Sequence, residues 1–237
     1  MTWSIVTPTK AAPTVFVSTT DERFDSGPRW TDSAVDALWL REDARVIAGR
    51  YQRERNETGT EVGYKLGYEW LSQNNDSYRI TLTQAPNAVT MAQHGLSFGL
   101  TRRLASDQRV EFDLGKRHWA GYDLYEGRAG LFHTFGSTEL QLGARLSQAQ
   151  GQTAAVPHLG ISHANGHWQI GAQVFTGQAL TDRTLTTDNR KIHTQGGQLS
   201  LTYQLTPKTS IRGISARSYE TLGWKSTTAI VLTHDFN

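Results

Sequence analysis

The chain has 237 residues, a length that a single all-β sandwich or barrel can absorb as one domain. Hydrophobic residues make up 37%, mean hydropathy is -0.50, and the longest apolar runs are as short as Ala229-Ile230-Val231-Leu232. A helical membrane protein, which needs runs of about 18 or more apolar residues, is therefore excluded. Lys and Arg total 24 against 22 Asp and Glu, with charges scattered rather than in blocks, so no nucleic-acid footprint is expected. Without cysteine there is no disulfide framework, Cys-based zinc site or thiol nucleophile.

The dominant period is two. Segments of this kind begin near Thr14, Ser33, Arg45, Thr60, Asp76, Gln93, Asp107, Tyr122, Thr138, Thr153, His167, Thr194, Thr209 and Lys225, which predicts fourteen strands. Twelve is the alternative, because the segments at Ser33, Arg45, Tyr122, Thr153 and Thr209 alternate poorly. The pattern is plainest from Glu61 to Trp70, where Val62, Tyr64, Leu66, Tyr68 and Trp70 oppose Glu61, Gly63, Lys65, Gly67 and Glu69. It recurs at Arg109–Lys116, Thr138–Ser147 and Gln198–Leu205. Successive strand residues point to opposite faces, so each segment has one apolar and one polar face. Gln93–Leu104 carries a weak helical pattern, against which Gly95 and Gly99 argue.

Connections alternate in predicted length. Short ones fall at 41–43, 72–76, 104–108, 135–137, 163–166 and 206–208. Longer ones fall at 21–32, 84–91, 118–123, from Gly177 to His193, and at 217–223; 55–59 and 149–152 break the trend. Short turns at one end and long loops at the other are expected of an outer-membrane barrel. Counting back from the last strand puts the short turns on the same side as both chain termini, which makes that side periplasmic. The final strand, KSTTAIVLTHDFN, places Thr228, Ile230, Leu232, His234 and Phe236 on one face. It resembles the aromatic-ended strand that barrel-assembly machinery recognises during biogenesis, although Asn237 follows the Phe. Tyr51, Trp119, Tyr122, Tyr125, Tyr219 and Trp224 lie toward the long loops, and Trp70, Tyr78, Trp168 and Phe236 toward the short turns, as interfacial girdles require.

These observations predict an all-β, antiparallel transmembrane barrel of 12–14 strands in the bacterial outer membrane, with both termini periplasmic and membrane lipids as partners. Residues 14–237 form the barrel domain and 1–13 an N-terminal tail. That tail, MTWSIVTPTKAAP, lacks the apolar stretch of a secretory signal, so the chain reads as a mature one with an added Met1 or as the C-terminal part of a longer protein, with a cytosolic protein as the plain alternative. The competing fold is a soluble β-sandwich or barrel, with the same alternation turned inside out.

On the polar side stand Glu61, Lys65, Glu69, Arg79, Arg103, Glu111, Asp113, Arg117, Glu126, Arg128, Glu139 and Arg145, the candidates for lining the lumen. Their mixed signs fit either cross-strand pairing that plugs the interior or a hydrated path for polar solutes; pairing is favoured. For a lipid-hydrolysing barrel the candidate pair is His133 and Ser137, but no third orienting group accompanies it. His118 and Ser218, toward the loops, likewise show no acidic orienter. His163 and His167 flank the turn HANGH; two histidines fall short of a structural zinc site, and turn residues are expected. No metal or other cofactor is predicted. The polar segment 178–193 is expected to fold over the mouth or bind an external partner.

The segments RVIAGRYQRERNETGTEVGYKLGYEWL (45–71), DERFDSGPRW (21–30) and VEFDLGKRHWAGYDLYEGRAGLFH (110–133) resemble the YaiO-type outer-membrane barrel family, from about residue 14 onward. The resemblance implies a non-enzymatic barrel that accompanies envelope transport, with exopolysaccharide or export-machinery components as partners, and no catalytic signature. A lipid-modifying enzyme and a closed structural or receptor barrel are the alternatives.

Overall fold

The computed structural model describes residues 12–236, apart from 26, 28, 41–43, 56–58, 73–75, 120, 181–190 and 221–222. Fourteen strands follow one another: β1 (Thr14–Phe24), β2 (Arg29–Leu40), β3 (Ala44–Arg55), β4 (Gly59–Leu71), β5 (Ser77–Gln84), β6 (His94–Ala105), β7 (Gln108–Trp119), β8 (Tyr122–Phe135), β9 (Thr138–Ala149), β10 (Gln152–Asn165), β11 (Trp168–Leu180), β12 (Lys191–Thr206), β13 (Thr209–Glu220) and β14 (Gly223–Asp235). The Gln93–Leu104 segment is strand β6, as its glycines demand. Each strand pairs antiparallel with its sequence neighbours, and β1 closes on β14 from Thr14↔Asp235 to Phe24↔Lys225. Closure leaves no sheet edge, which is what lets a β-structure survive in lipid.

The two faces differ in the sense that excludes the soluble alternative. On β4, Tyr64, Leu66 and Tyr68 are half exposed, while Gly63 and Gly67 on the other face are buried. The exposed rows continue round the barrel through Leu82, Leu96, Leu114, Leu142, Leu159, Ile170, Leu199 and Ile230. Among the described residues no large side chain is fully buried, so there is no apolar core to hold a water-soluble sandwich together. Lipid must cover the outside instead, at a gain of about 1 kcal/mol or more for each such side chain.

The strands run further than their apolar alternation does. β7 ends at Trp119 and β8 begins at Tyr122, and β13 and β14 are as close, so the predicted loops at 118–123 and 217–223 shrink to tight connections. In the β9–β10 turn Gln150 and Gly151 both have positive φ (49° and 76°), the geometry that joins twisted antiparallel strands directly. Long and short ends are thus less distinct than the sequence suggests. The connections that stay long are Ala85–Gln93 and 181–190, both at the end opposite the chain termini. Of the aromatic girdle, Trp70, Tyr78, Tyr125, Trp168, Tyr219 and Trp224 occupy outward register, and Phe236, just past β14, is exposed. Tyr51, Trp119 and Tyr122 do not: Tyr51 lies over the inward Gly63, and Trp119 pairs with Tyr122 on the same inner face as Arg117. Position near a strand end does not fix the face; register parity does.

Candidate functional site: the barrel interior

Register puts every charged residue predicted for the polar side on the face opposite the exposed apolar rows. Most are paired. Lys65 Nζ reaches Asp36 Oδ2 at 2.7 Å, Arg79 Nη2 reaches Asp113 Oδ1 at 2.5 Å, and Arg45 lies 3.7 Å from Glu69. Glu126 is shared by Arg117 (2.9 Å) and Arg145, and Arg109 binds both Glu111 (3.0 Å) and Glu139. Arg103 and Arg128 have no carboxylate partner among the described residues.

Two of these pairs bridge three strands over a glycine. Asp36, Gly49 and Lys65 stand in register on β2, β3 and β4; a Cβ on Gly49 would lie 1.8 Å from Asp36 Oδ1. Arg79, Gly99 and Asp113 repeat the arrangement on β5, β6 and β7, with a Gly99 Cβ 2.7 Å from Asp113 Oδ1. The glycine omits the side chain that would otherwise hold acid and base apart. Sequence reading put Arg109 on the polar face without naming it a candidate, and missed Asp32, Asp36, Arg45 and Arg53 as members of this network. β2 and β3 alternate too poorly to show their inner face, and only the register reveals it.

The Ala85–Gln93 connection folds inward against this wall. Ala85 is 0% exposed, Ala88 and Thr90 2%, and Met91 8%, and the apolar members pack against Tyr51. The Glu61 carboxylate holds the segment. It accepts the backbone N–H of Val89 (2.7 Å), Thr90 (2.9 Å) and Met91 (3.1 Å) and the Thr90 hydroxyl (2.8 Å). Arg53 Nη1 donates to the Thr90 carbonyl at 3.3 Å and is itself held by Asp32, 2.7 Å from Nη2. Arg53 also lies 4.7 Å from the Trp30 ring centroid. Five polar groups of the segment are thus satisfied by the β3–β4 wall, as a buried turn requires. Residues 181–190, expected to cover the mouth, lie outside the described residues.

The opposite wall carries fewer charges: Arg212 and Glu220 on β13 face inward, and Glu220 shares Lys225 of β14 (2.8 Å) with Glu22 of β1 (3.4 Å). Across β10–β13 the inward positions include Ser162, His158, Gln173, Gln198, Ser200 and Ala216, with Gln173 directly opposite Gln198. Gln141 on β9 lies 3.1 Å from His158 Nε2. The interior therefore has a densely charged, largely self-paired side and a sparser side where amides and hydroxyls predominate beside Arg212 and the Glu22–Lys225–Glu220 cluster.

Ser137 and His133 do not come together. Ser137 Oγ lies 3.4 Å from His163 Nδ1, which is closer to Thr138 Oγ1 at 2.9 Å, while His133 faces Asp107 at 3.5 Å. His118 does have an acidic partner, Asp123 at 2.8 Å, contrary to expectation; the two meet across the β7–β8 turn, outside the barrel. Ser218 instead donates to Glu220 on the inner face. His163 and His167 diverge, the latter ring lying against Tyr203. No group of three or more potential metal ligands occurs among the described residues.

No family model and no curated protein matches the chain. Solved structures do. A bacterial polysaccharide outer membrane secretin superposes with a TM-score of 0.68 at 9% identity, covering 96% of this chain and 99% of that one. The CymD monoaromatic hydrocarbon channel gives 0.63 at 11% identity over 95% and 88%. The KdgM porin in complex with disordered oligogalacturonate gives 0.55 at 7% identity over 94% and 99%. Together with the lipid-facing apolar belt, these likenesses give the chain the fold, and the place, of a bacterial outer-membrane β-barrel resembling channels and porins.

Proposed function

We propose that the barrel is a non-enzymatic channel for polar solutes, saccharides above all, assisting transport across the outer membrane in the manner implied by its YaiO-type resemblance. Its termini are periplasmic in this reading, and the Ala85–Gln93 segment narrows the outer mouth. The observation that carries the proposal is the two-sided interior. A ring of fourteen strands is wider than the eight-stranded barrels that side chains alone can fill, and it approaches those with aqueous channels. Most of the paired charges and the inward segment occupy the β2–β9 side, leaving the β10–β13 side, where amides and hydroxyls predominate and Arg212 is the charge without a carboxylate partner among the described residues, for a solute. Such groups hydrogen-bond sugar hydroxyls without the desolvation cost of a free charge. The lumen-lining residues are then Glu61, Lys65, Glu69, Arg79, Arg103, Glu111, Asp113, Arg117, Glu126, Arg128, Glu139 and Arg145, with the network partners named above. The interior is a poor match for an apolar solute.

Single-channel recording in planar bilayers tests this. Discrete conductance that falls when oligosaccharide is added is the expected result. A barrel that conducts neither as wild type nor after release of the inward segment would be a closed structural or receptor barrel, and the proposal would fail.

A further inference from the structure

One place on the inner wall sets like charges side by side. Arg128 on β8 stands in direct register with Arg145 on β9, an arrangement that destabilises a sheet unless something relieves it. The other register partner of Arg128 is Asp113 on β7, but that carboxylate is committed to Arg79 at 2.5 Å. Glu126, two residues before Arg128 on the same inner face, is shared by Arg117 (2.9 Å) and Arg145. Four guanidiniums therefore meet two carboxylates within β5–β9, and pairing leaves two positive charges over.

Depth sorts the signs. The Glu126 side chain is 13% exposed, whereas Arg117 and Arg145 are 52% and 60% exposed, and Arg128 is exposed as well. The acid lies against the wall and the guanidinium edges face the lumen. Such a surface offers an arriving carboxylate bidentate donors with no acid in front of them. Inside a ring of strands sheathed in lipid, the field of that excess is focused into the lumen.

Beside this cluster the wall turns to amides. Gln141 lies four residues from Arg145 on β9, about 13 Å nearer the chain termini. It shares a register row with Gln173 and Gln198 across Gly160. A Cβ on Gly143 would lie 2.6 Å from His158 Nε2, so the imidazole of β10 lies across that glycine, between Arg145 and Gln141. Guanidiniums, imidazole and amides thus follow one another down β9.

We infer that this stretch of wall binds an acidic oligosaccharide, a chain of sugars that carry carboxylates. One carboxylate sits between Arg128 and Arg145 and relieves their repulsion. Hydroxyls of the following sugars reach His158 and the glutamine row. A neutral saccharide meets only the second part of the site, and a small carboxylate only the first. The inference rests on the proposal that saccharides enter the lumen and narrows it to one substrate class.

Isothermal titration calorimetry on the full chain in detergent tests it, because it reads binding whether or not the barrel conducts. The probes are a mannuronate trisaccharide, mannotriose and acetate. The acidic trisaccharide should bind, less tightly as salt rises, with mannotriose and acetate about tenfold weaker or more. Arg128→Ala should lower its affinity about tenfold or more, as loss of a charge-assisted contact implies, and Arg128→Lys should recover part of it. The alanine variant should also keep its heat-modifiable gel shift at or above the wild-type temperature, because it removes a like-charge pair. A residue kept for structure would do the reverse. Arg102→Ala, on the outer face of β6, should leave the affinity unchanged. No binding of the acid, equal binding of mannotriose or acetate, or an Arg128→Ala variant with unchanged affinity or a lowered shift temperature would overturn the assignment. A barrel that binds the acid but passes no current would sink the channel reading alone, and failure here with conductance intact would leave that reading standing.

Discussion

Replacing Glu61 with alanine should free the Ala85–Gln93 segment from the wall. The carboxylate is the acceptor for three backbone N–H groups and one hydroxyl. Val89 is 68% exposed and can turn to water, but Thr90 and Met91 are nearly buried, so their amides would be orphaned. Each buried unsatisfied donor costs about 1–3 kcal/mol, which puts the loss at about 2–6 kcal/mol. The packing of Met91 against Tyr51 opposes release by about 1.5–3 kcal/mol at most. The inward arrangement should therefore fall from dominant to comparable with, or less populated than, a released one. Planar-bilayer recordings should show larger and noisier single-channel currents, and protease should cut between residues 85 and 93. Glu61→Gln keeps one acceptor oxygen and should give an intermediate effect. If the alanine variant migrates as a folded barrel yet matches wild type in both current and cleavage, the segment is not held by this carboxylate and the reasoning fails.

Further outcomes follow from the same geometry. Gly196→Ala would place a Cβ 2.5 Å from the Arg217 carbonyl and 2.7 Å from the Phe175 ring, so unfolding stability should drop by about 1–3 kcal/mol. Gly213→Ala meets nothing within 4 Å and should be neutral or slightly stabilising; the temperature of the heat-modifiable gel shift compares the two. Arg79 and Asp113 are 44% and 33% exposed, so a double-mutant cycle should give a coupling of only about 0.2–1 kcal/mol. Asp113→Lys should nonetheless shift ion selectivity toward anions, measured as a reversal potential in asymmetric salt. Arg128→Ala should weaken current block by acidic oligosaccharides more than by neutral ones; equal weakening would remove Arg128 from the solute path.

Much of the architecture was readable because one physical constraint repeats along the chain. A strand between lipid and an aqueous interior must alternate, and the alternation at 61–70, 109–114, 138–147 and 198–205 marks β4, β7, β9 and β12. It also gives the inner face of those strands, which is why Lys65, Glu69, Glu111 and Arg145 could be named. β2 and β3 were obscure because polar residues such as Ser33 and Gln52 occupy their outer face, and Asp36, Arg45 and Arg53 stayed hidden with them. Loop lengths misled because strands continue past the lipid, where hydropathy no longer needs to alternate.

The sequence by itself determined a closed, lipid-facing barrel and the polarity of its two faces, since both follow from period two within single segments. Only the tertiary structure decided which acid meets which base across Gly49 and Gly99, and that Glu61 grips the Ala85–Gln93 segment rather than standing free in the lumen. Those outcomes depend on register between strands and on where a loop finds partners for its buried amides, and neither is written in any one segment.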